Sequence, residues 1–341
     1  MPKLIVTNGE SAAERLRAAG IRGHILPWQD MLHDGPVPPG TDLEEVSDVR
    51  ADFLSQALGL PFDEVRADFA HRDAQVEVHV AYGQVELWFE HDLFDQLQLI
   101  QILAYFAHEP ERMGLSLVQA SHYLGVMGPD EMRALEAHRT PVTHLMMETA
   151  REAWEAFTAP TPRPLATFLS RSKVSRVYEV LPHLAPALHR LIAELPAPRS
   201  GLSLTEERIL RQLQDGPMKV AHLYAAVHSM DEAQFLADLP FFLRLDGLAF
   251  THEPLISGLP FRSSEAAGMR FSPGDESAAE RSYRAYASAE IALTATGAAA
   301  LKGGFDHACQ NAVDRSIGGI HLMPGAMWRF DRTSGSLVLP N

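Results

Sequence analysis

The fold is decided by residues 84–106, which read QVELWFEHDLFDQLQLIQILAYF. The run VELWF near its start has the length and composition of a β-strand. Glu90, His91 and Asp92 follow this run at once. Residues 93–106 are apolar at helical spacing and on almost every side, which is typical of a buried helix. The stretch therefore predicts a strand, a polar turn and a buried helix.

A second pattern at the N-terminus predicts that this strand belongs to a parallel sheet. Residues 4–7 form a β-rich run, and a turn then ends in Ser11, a favourable N-cap for a helix at residues 12–19. A second short strand is expected at residues 23–28. Because this β-turn-α-β order is typical of parallel sheets, residues 1–125 are predicted to form a Rossmann-like, mostly parallel α/β domain.

The remainder of the chain is predicted to be mainly helical. Residues 126–198 are expected to form a helical connecting region, and residues 199–341 a winged-helix-like C-terminal domain. The further elements predicted from periodicity and turn residues are helices at 43–58, 61–73, 204–214, 219–227 and 231–246, strands at 76–80 and 248–250, a wing or loop at 257–288, and a closing hairpin near the C-terminus.

Three segments of the first domain carry a resemblance to a known family. They read TNGESAAERLRAAGI at residues 7–21, WQDMLHDGPVP at residues 28–38 and WFEHDLFDQLQL at residues 88–99. In these segments the chain resembles the bacterial family catalogued as domain of unknown function 1835, over about its first third. The remainder resembles the tail that often accompanies that domain. The resemblance implies an architecture and candidate residues but no particular reaction.

Composition and charge narrow the class of protein. Hydrophobic residues make up 46% of the 341 residues, and the formal net charge is −15. The acidic balance gives no long-range attraction to nucleic acid or to anionic lipid, so we expect no strong nucleic-acid binding. The single cysteine, Cys309, excludes an internal disulfide framework and a cysteine-based zinc cluster. Without an apolar run long enough to span a membrane, a cytoplasmic location is expected.

Polar side chains follow each predicted strand of the first domain. The three clusters are Asn8, Glu10 and Ser11; Trp28, Asp30, His33 and Asp34; and Glu90, His91 and Asp92. Because the carboxyl ends of parallel strands lie at one edge of a sheet, these clusters are expected to meet where open α/β sheets bind their ligands.

The residue types at this edge suit acid–base chemistry or metal binding. Asp30, Glu90 and Asp92 are the predicted catalytic carboxyl groups, which also have the oxygen ligands that a divalent metal cofactor needs. The predicted ligand-binding residues are Asn8, Ser11, Trp28, His33, His91 and Gln96.

Each of these assignments has a structural alternative. Asp92 is also a suitable N-cap for the buried helix, with Asp95 serving the same turn. The turn that contains Asn8 either binds a phosphate or only caps a helix. Trp28 and Trp88 either flank a planar ligand or pack in the core. His33 and Gln96 either face a ligand or bond to backbone groups nearby.

The predicted recognition helix at residues 231–246 argues against a DNA-reading role for the C-terminal domain. It carries Asp231, Glu232, Asp238 and Asp246, whereas Arg244 is its one basic residue. A helix that reads DNA presents basic and amide side chains to phosphates and bases. The favoured role of the C-terminal domain is therefore a contact with another protein or a cover over a ligand. Assembly of the chain into a homo-oligomer is left as an alternative.

Two functions are consistent with these patterns. In the first, the strand ends hold a nucleotide-like or phosphorylated metabolite, and the protein is a hydrolase or transferase. In the second, the protein is a ligand-sensing regulator or a protein-interaction module that uses the winged-helix-like domain. The sequence does not separate them.

Overall fold

The computed structural model describes residues 2–109, 111–172, 177–265 and 278–339. Part of the predicted wing or loop at residues 257–288 lies outside this portion of the chain. The strands are β1 (Lys3–Thr7), β2 (His24–Pro27), β3 (Gly35–Pro36), β4 (Gln84–Phe89), β5 (Leu115–Gln119), β6 (Thr140–Pro141), β7 (Met218–Lys219), β8 (Ile256–Ser257), β9 (Glu290–Leu293), β10 (Arg315–Gly318), β11 (Ile320–Leu322), β12 (Arg329–Asp331) and β13 (Ser336–Val338).

Helices alternate with these strands in the first part of the chain and dominate its middle. They are α1 (Glu10–Ala18), α2 (Leu43–Leu58), α3 (Phe62–Glu77), α4 (Leu93–Phe106), α5 (Pro129–Glu136), α6 (His144–Phe157), α7 (Arg163–Ser172), α8 (Val177–Val180), α9 (Leu184–Ile192), α10 (Leu204–Gln212), α11 (Val220–His228), α12 (Asp238–Ala249), α13 (Ala278–Ser288), α14 (Ala295–Leu301) and α15 (His307–Gln310). In the part of the chain that the structure describes, none of these helices is both long and apolar enough to cross a bilayer.

A five-stranded, mostly parallel sheet forms the centre of the α/β part of the chain, as predicted, although its last strand, β6, lies beyond the predicted boundary at residue 125. Its strand order is β2-β1-β4-β5-β6, with parallel pairing except between β5 and β6. The chain leaves β1 toward one side of the sheet and returns to β4 on the other side of β1. The crevice at the carboxyl ends of β1 and β4 is thus a topological switch point, where open α/β sheets bind ligands.

The buried helix predicted after β4 is confirmed as α4, at the predicted bounds. Leu97, Ile100 and Leu103 are fully buried on it. The helix packs on α6 and α9 and contacts the sheet. Its N-cap is Asp92, whose side chain accepts a hydrogen bond from the Asp95 amide at 3.1 Å.

Three local predictions are wrong, and each has a physical reason. The strand at 76–80 is instead the end of α3 and a 3₁₀ turn: Val76 is buried on α3 whereas Val78 and Val80 are exposed, so the three valines do not share a buried face. Ser11 is not an N-cap, since α1 begins at Glu10, two residues before the predicted start, and has Gly9 as its N-cap. The helix predicted at 231–246 begins only at Asp238 and continues through the strand predicted at 248–250.

The C-terminal part is tied to the loop after β2 by backbone pairing. Strand β3 in that loop pairs in parallel with β10, which itself forms an antiparallel hairpin with β11. A second hairpin joins β12 and β13, so two hairpins replace the single one predicted. A small antiparallel sheet has the order β7-β9-β8 beside α10, α11 and α12.

Buried ion pairs hold the same loop. The guanidinium of Arg50 on α2 bonds to both carboxylate oxygens of Asp30, the closest contact being 2.8 Å, and both side chains are fully buried. Arg50 also donates to the carbonyls of Met31, Asp34 and Pro36. The loop therefore depends on one side chain that neutralises its charge and satisfies its carbonyl oxygens.

We expect Arg50→Met to lower the free energy of unfolding by about 3–5 kcal/mol, because it leaves the Asp30 carboxylate buried without a counter-charge. Urea denaturation measures this loss. The control is Arg66→Met, which removes ion pairs to the exposed carboxylates of Asp48 and Glu44 and should cost no more than about 1 kcal/mol. Equal, small losses in both variants would contradict the role given to Arg50.

Candidate functional site

The polar residues after β1, β2 and β4 lie at the carboxyl edge of the sheet and are linked there by hydrogen bonds. Asn8 Nδ2, after β1, donates to the Asp95 carboxylate at 2.8 Å, near the start of α4. Gln98 Nε2 on α4 donates to the Asp30 carbonyl, after β2, at 3.0 Å. The loop between β2 and β3 thus reaches the same helix as the loop after β1.

Three buried carboxyl groups meet at the start of α4. Glu90, Asp92 and Asp95 each place an oxygen within 4.8 Å of the other two, and all three side chains are buried. Within the described residues, these are the carboxylates whose spacing suits a shared metal ion. Asp95 accepts the Glu90 amide at 2.6 Å, and Glu90 accepts the Leu124 amide at 2.7 Å. Because Asp92 accepts the Asp95 amide, backbone amides fix all three groups.

Burial raises the pKa of all three carboxyl groups. Burial, reinforced by the neighbouring Asp92, raises the pKa of Glu90 to about 7. Burial also raises the pKa of Asp92 to about 6, and it raises the pKa of Asp95 well above its ordinary range with help from its two neighbours. Carboxyl groups with such values can give and take protons near neutral pH.

A cavity of about 530 Å³ opens beside this cluster, outside the ends of β1 and β2. Its interior is apolar, with Met31, Leu54, Val65, Phe69 and Phe94 among its lining residues. Its walls come from α2, α3, the first turn of α12 and the loops after β1 and β2. The volume lies within the roughly 300–1,000 Å³ range of small-molecule sites.

Backbone strain accompanies the cavity. Gln29, on its wall, has a φ of 54°, in the left-handed region that residues with a Cβ rarely adopt. Its amide donates to the Asn8 carbonyl at 3.1 Å, which extends the pairing of β1 with β2 beyond the strands. Non-glycine residues in this conformation occur often at ligand sites.

The predicted ligand-binding residues divide between the cavity and other positions. Asn8, Ser11, Trp28 and His33 line the cavity. His91 lies outside it, half-buried beside the rings of Tyr123 and His183, whose centroids are 5.3 and 5.9 Å away. Gln96 donates to the Glu90 carbonyl at 2.6 Å, so its amide serves the backbone, while its Oε1 has no partner among the described residues.

The predicted catalytic residues are not all in one place. Glu90 and Asp92 belong to the carboxyl cluster, where Asp92 is also the N-cap of α4. The Asp30 carboxylate is bonded to Arg50 instead, and it is not part of that cluster. Trp88 is fully buried in the core, whereas Trp28 has one side on the cavity and donates to Gln101 at 2.8 Å.

Sequence reasoning missed parts of this site. Asp95 was given a role in the helix cap only, although an acidic residue on an otherwise apolar helix signals a buried polar network. Arg72 lies over the Trp28 ring, 4.1 Å from its centroid, and no local pattern marks that contact. The α12 wall comes from residues more than 200 positions away from Asn8 and Trp28, beyond any local signal.

Comparison with known proteins adds little. No protein-family model matches the chain, and no curated protein matches it. Among solved structures, the chain is similar to the crystal structure of the Plasmodium falciparum topoisomerase II DNA-binding, cleavage and re-ligation domain, with a TM-score of 0.38 and 11% identity. The match covers 87% of this chain and 47% of that one, so the chain spans about half the length of the solved structure. A similarity this low carries no argument about fold or function.

The raised pKa of Glu90 predicts how stability changes with pH. The pKa of Glu90 is about 7 in the folded protein and ordinarily 4.5. Its contribution to folding stability is therefore complete when the pH is below the ordinary pKa, and it is lost as the pH rises through about 7. Glu90→Gln keeps an oxygen for the Leu124 amide but cannot ionise. We expect this variant to be more stable than wild type at pH ~8, by about 1–3 kcal/mol, and to show a flatter profile from pH ~5 to ~8.

Urea denaturation across that pH range measures the effect. Glu148→Gln, at an exposed position of α6, is the control, and it should follow the wild-type profile. A Glu90→Gln profile parallel to that of wild type would show that Glu90 is ionised in the folded protein.

Proposed function

We propose that the protein binds a small organic molecule in the cavity at the carboxyl ends of β1 and β2. One observation carries this proposal: a cavity of about 530 Å³, apolar inside and rimmed by polar residues, lies at the sheet edge where α/β folds bind ligands. The strained Gln29 and the residues Asn8, Trp28 and His33 on its wall support the same site.

We also propose a winged-helix arrangement for the C-terminal domain, with α12 as a wall of the ligand site. Support comes from the chain order α10, β7, α11, α12, β8, α13, β9 and from the sheet order β7-β9-β8. A winged helix shares both, apart from α13, which lies between the second and third strands of the small sheet. In that arrangement α12 is the third helix. Asp238, Leu239 and Pro240 of α12 line the cavity, and Arg244 pairs with Asp34 of the first domain at 2.9 Å. These contacts favour a role at the ligand site over one in a DNA groove.

Filling the cavity should abolish ligand binding. Ala57 is a partly buried lining residue on α2, and Ala57→Trp puts a large side chain into the space. We expect some members of a metabolite panel that includes nucleotides, amines, amides and carboxylic acids to raise the melting temperature of wild type but not of Ala57→Trp. A ligand at 100 times its Kd stabilises the folded state by about 2.7 kcal/mol, which a melting curve detects readily.

The matched control is Gln56→Trp, at the neighbouring, exposed position of α2 that does not line the cavity. It should respond to the same compounds as wild type. Compounds that stabilise Ala57→Trp as strongly as wild type would bind elsewhere, and a panel without any stabilising compound would also count against the proposal.

A second candidate function, a hydrolase or transferase, is favoured by the carboxyl cluster. Glu90 and Asp92 are buried carboxyl groups that exchange protons near neutral pH, and one can act as acid while the other acts as base. Asn8 connects the cavity with the carboxyl cluster, because it lines the cavity and its side chain donates a hydrogen bond to Asp95. A substrate in the cavity that extends past Asn8 would meet the cluster.

Asp92→Asn separates this function from a structural role. Asn still accepts the Asp95 amide at the N-cap and, unlike Asp92 with its raised pKa, carries no buried charge, so stability at pH ~7 should hold or rise rather than fall by the ~1 kcal/mol that loss of a cap costs. If Asp92 transfers protons, turnover of panel compounds, followed by mass spectrometry, should fall about a hundredfold or more while their binding persists. Asp42→Asn, the same change at the N-cap of α2, is the control and should leave turnover intact. Unchanged turnover in Asp92→Asn would leave Asp92 as a helix cap.

A further inference from the structure

A buried imidazole on the cavity wall is the first feature that limits the class of ligand. His33 is 3% exposed and lines the cavity, and neither of its ring nitrogens has a hydrogen-bond partner among the described residues. The rings of Phe94 and Phe235 face it edge-on, with centroids 6.1 and 5.2 Å away, so its protein neighbours on that side offer no polar atom. An unpaired buried polar group is unfavourable, and a ligand that pairs with it removes that cost.

The protonation state of His33 defines what it can recognise. Burial lowers the pKa of His33 to about 4, so the ring is neutral at pH ~7. A neutral imidazole has one N–H donor and one acceptor nitrogen. The two ring nitrogens point in diverging directions, so one ligand group pairs with one of them. A carboxamide or a heterocyclic lactam carries both a donor and an acceptor, so it can pair with the nitrogen that faces the cavity in either tautomer.

The charges around the cavity disfavour an anionic ligand. Arg72 is the lone guanidinium on the described wall, and it already donates to Asp73 at 2.7 Å and lies over the Trp28 ring. The start of α1 also reaches the cavity, but its first turn carries the Glu10 carboxylate, which offsets the positive end of the helix. No cationic group on this wall is therefore free to hold a phosphate.

The rim adds negative charge instead. Glu10, which pairs with Arg17 at 3.4 Å, and Asp68 are exposed there, and Asp238 stands at the start of α12. Asp238 accepts hydrogen bonds from Tyr283 Oη at 2.6 Å and from the Leu239 amide at 2.8 Å, which hold its carboxylate in place. Carboxylates at a cavity mouth attract cations and repel anions.

We propose that the cavity binds an uncharged or cationic molecule with an aromatic or aliphatic body, which presents a carboxamide-like donor and acceptor pair to His33. This inference rests on the proposed ligand-binding function and names the ligand class for that site. Met31, Leu54, Phe69 and Phe94 enclose the body, His33 binds the amide-like group, and the rim selects against anions.

Two aromatic probes that differ in a single carboxamide group test the role of His33. Para-toluamide and para-xylene share a substituted benzene ring, but only the first carries a carboxamide. We expect wild type to bind para-toluamide at least about fivefold more tightly than para-xylene in calorimetric titration. His33→Phe keeps an aromatic ring of similar size and removes both nitrogens, so it should lose this preference while its melting temperature holds or rises. Retention of the preference in His33→Phe would overturn the inference.

A charge series tests the rim. The probes are para-(aminomethyl)benzamide, which is a cation, para-toluamide, which is neutral, and para-carbamoylbenzoate, which is an anion. We expect the anion to bind wild type at least about fivefold more weakly than the other two. Asp238→Asn keeps acceptor atoms for Tyr283 and Leu239, and it should narrow the difference between cation and anion. Tighter binding of the anion than of the cation would overturn the assigned class.

These outcomes separate this inference from the proposed function. If wild type binds para-xylene and para-toluamide equally, or prefers the anion, the ligand class is wrong although the cavity still binds small molecules. If none of the probes binds but panel compounds stabilise wild type and not Ala57→Trp, the ligand class again fails and the cavity proposal stands. Should His33→Phe fail to fold, the comparison of the two probes in wild type decides the matter.

Discussion

Helix α4 is buried on every side, so its polar side chains must find hydrogen-bond partners inside the protein. They find these partners in the three loops that follow β1, β2 and β4, and one helix thereby sets the positions of all three loops at the candidate site. The bonds join Asp95 to Asn8, Gln98 to Asp30, Gln101 to Trp28, and Gln96 to Glu90. The sheet brings the loops to one edge, and the amides of α4 fix their spacing there.

This arrangement has a cost in stability. The side-chain amides of Gln96, Gln98 and Gln101 each leave one buried atom without a partner among the described residues, although each makes one bond to a loop. A buried unpaired group costs about 1–3 kcal/mol, whereas a fully buried leucine or isoleucine contributes about 1.5–3 kcal/mol. The apolar majority of α4 therefore offsets its amides. A helix with leucines at these positions would be more stable, but the loops after β2 and β4 would lose these bonds to α4, and only the bond between Asn8 and Asp95 would remain of the four.

The features of the fold that depend on local sequence patterns could be predicted from the sequence. Apolar periodicity is sufficient for the mostly parallel sheet and for α4, since both depend on which residues are buried. The partner of Asp30 could not be predicted, because Arg50 lies on the next helix and any of several arginines satisfies the same charge. The strand predicted at residues 76–80 failed for a related reason: alternating valines indicate a strand only where they share a buried face, and of these three valines only Val76 is buried.

The route into the cavity follows from the buried charges beside it. Arg244 of α12 pairs with Asp34 in the loop that also carries His33, and both partners are buried. Separating such a pair leaves uncompensated charge and costs about 3–5 kcal/mol, so movement of α12 away from the sheet is rare in the folded protein. Entry past the exposed side chains of Glu10, Gln29 and Asp68 breaks no buried ion pair. If the cavity binds a ligand as proposed, the exposed rim residues lie on this route ahead of the buried His33, so charge would act first and hydrogen bonding second.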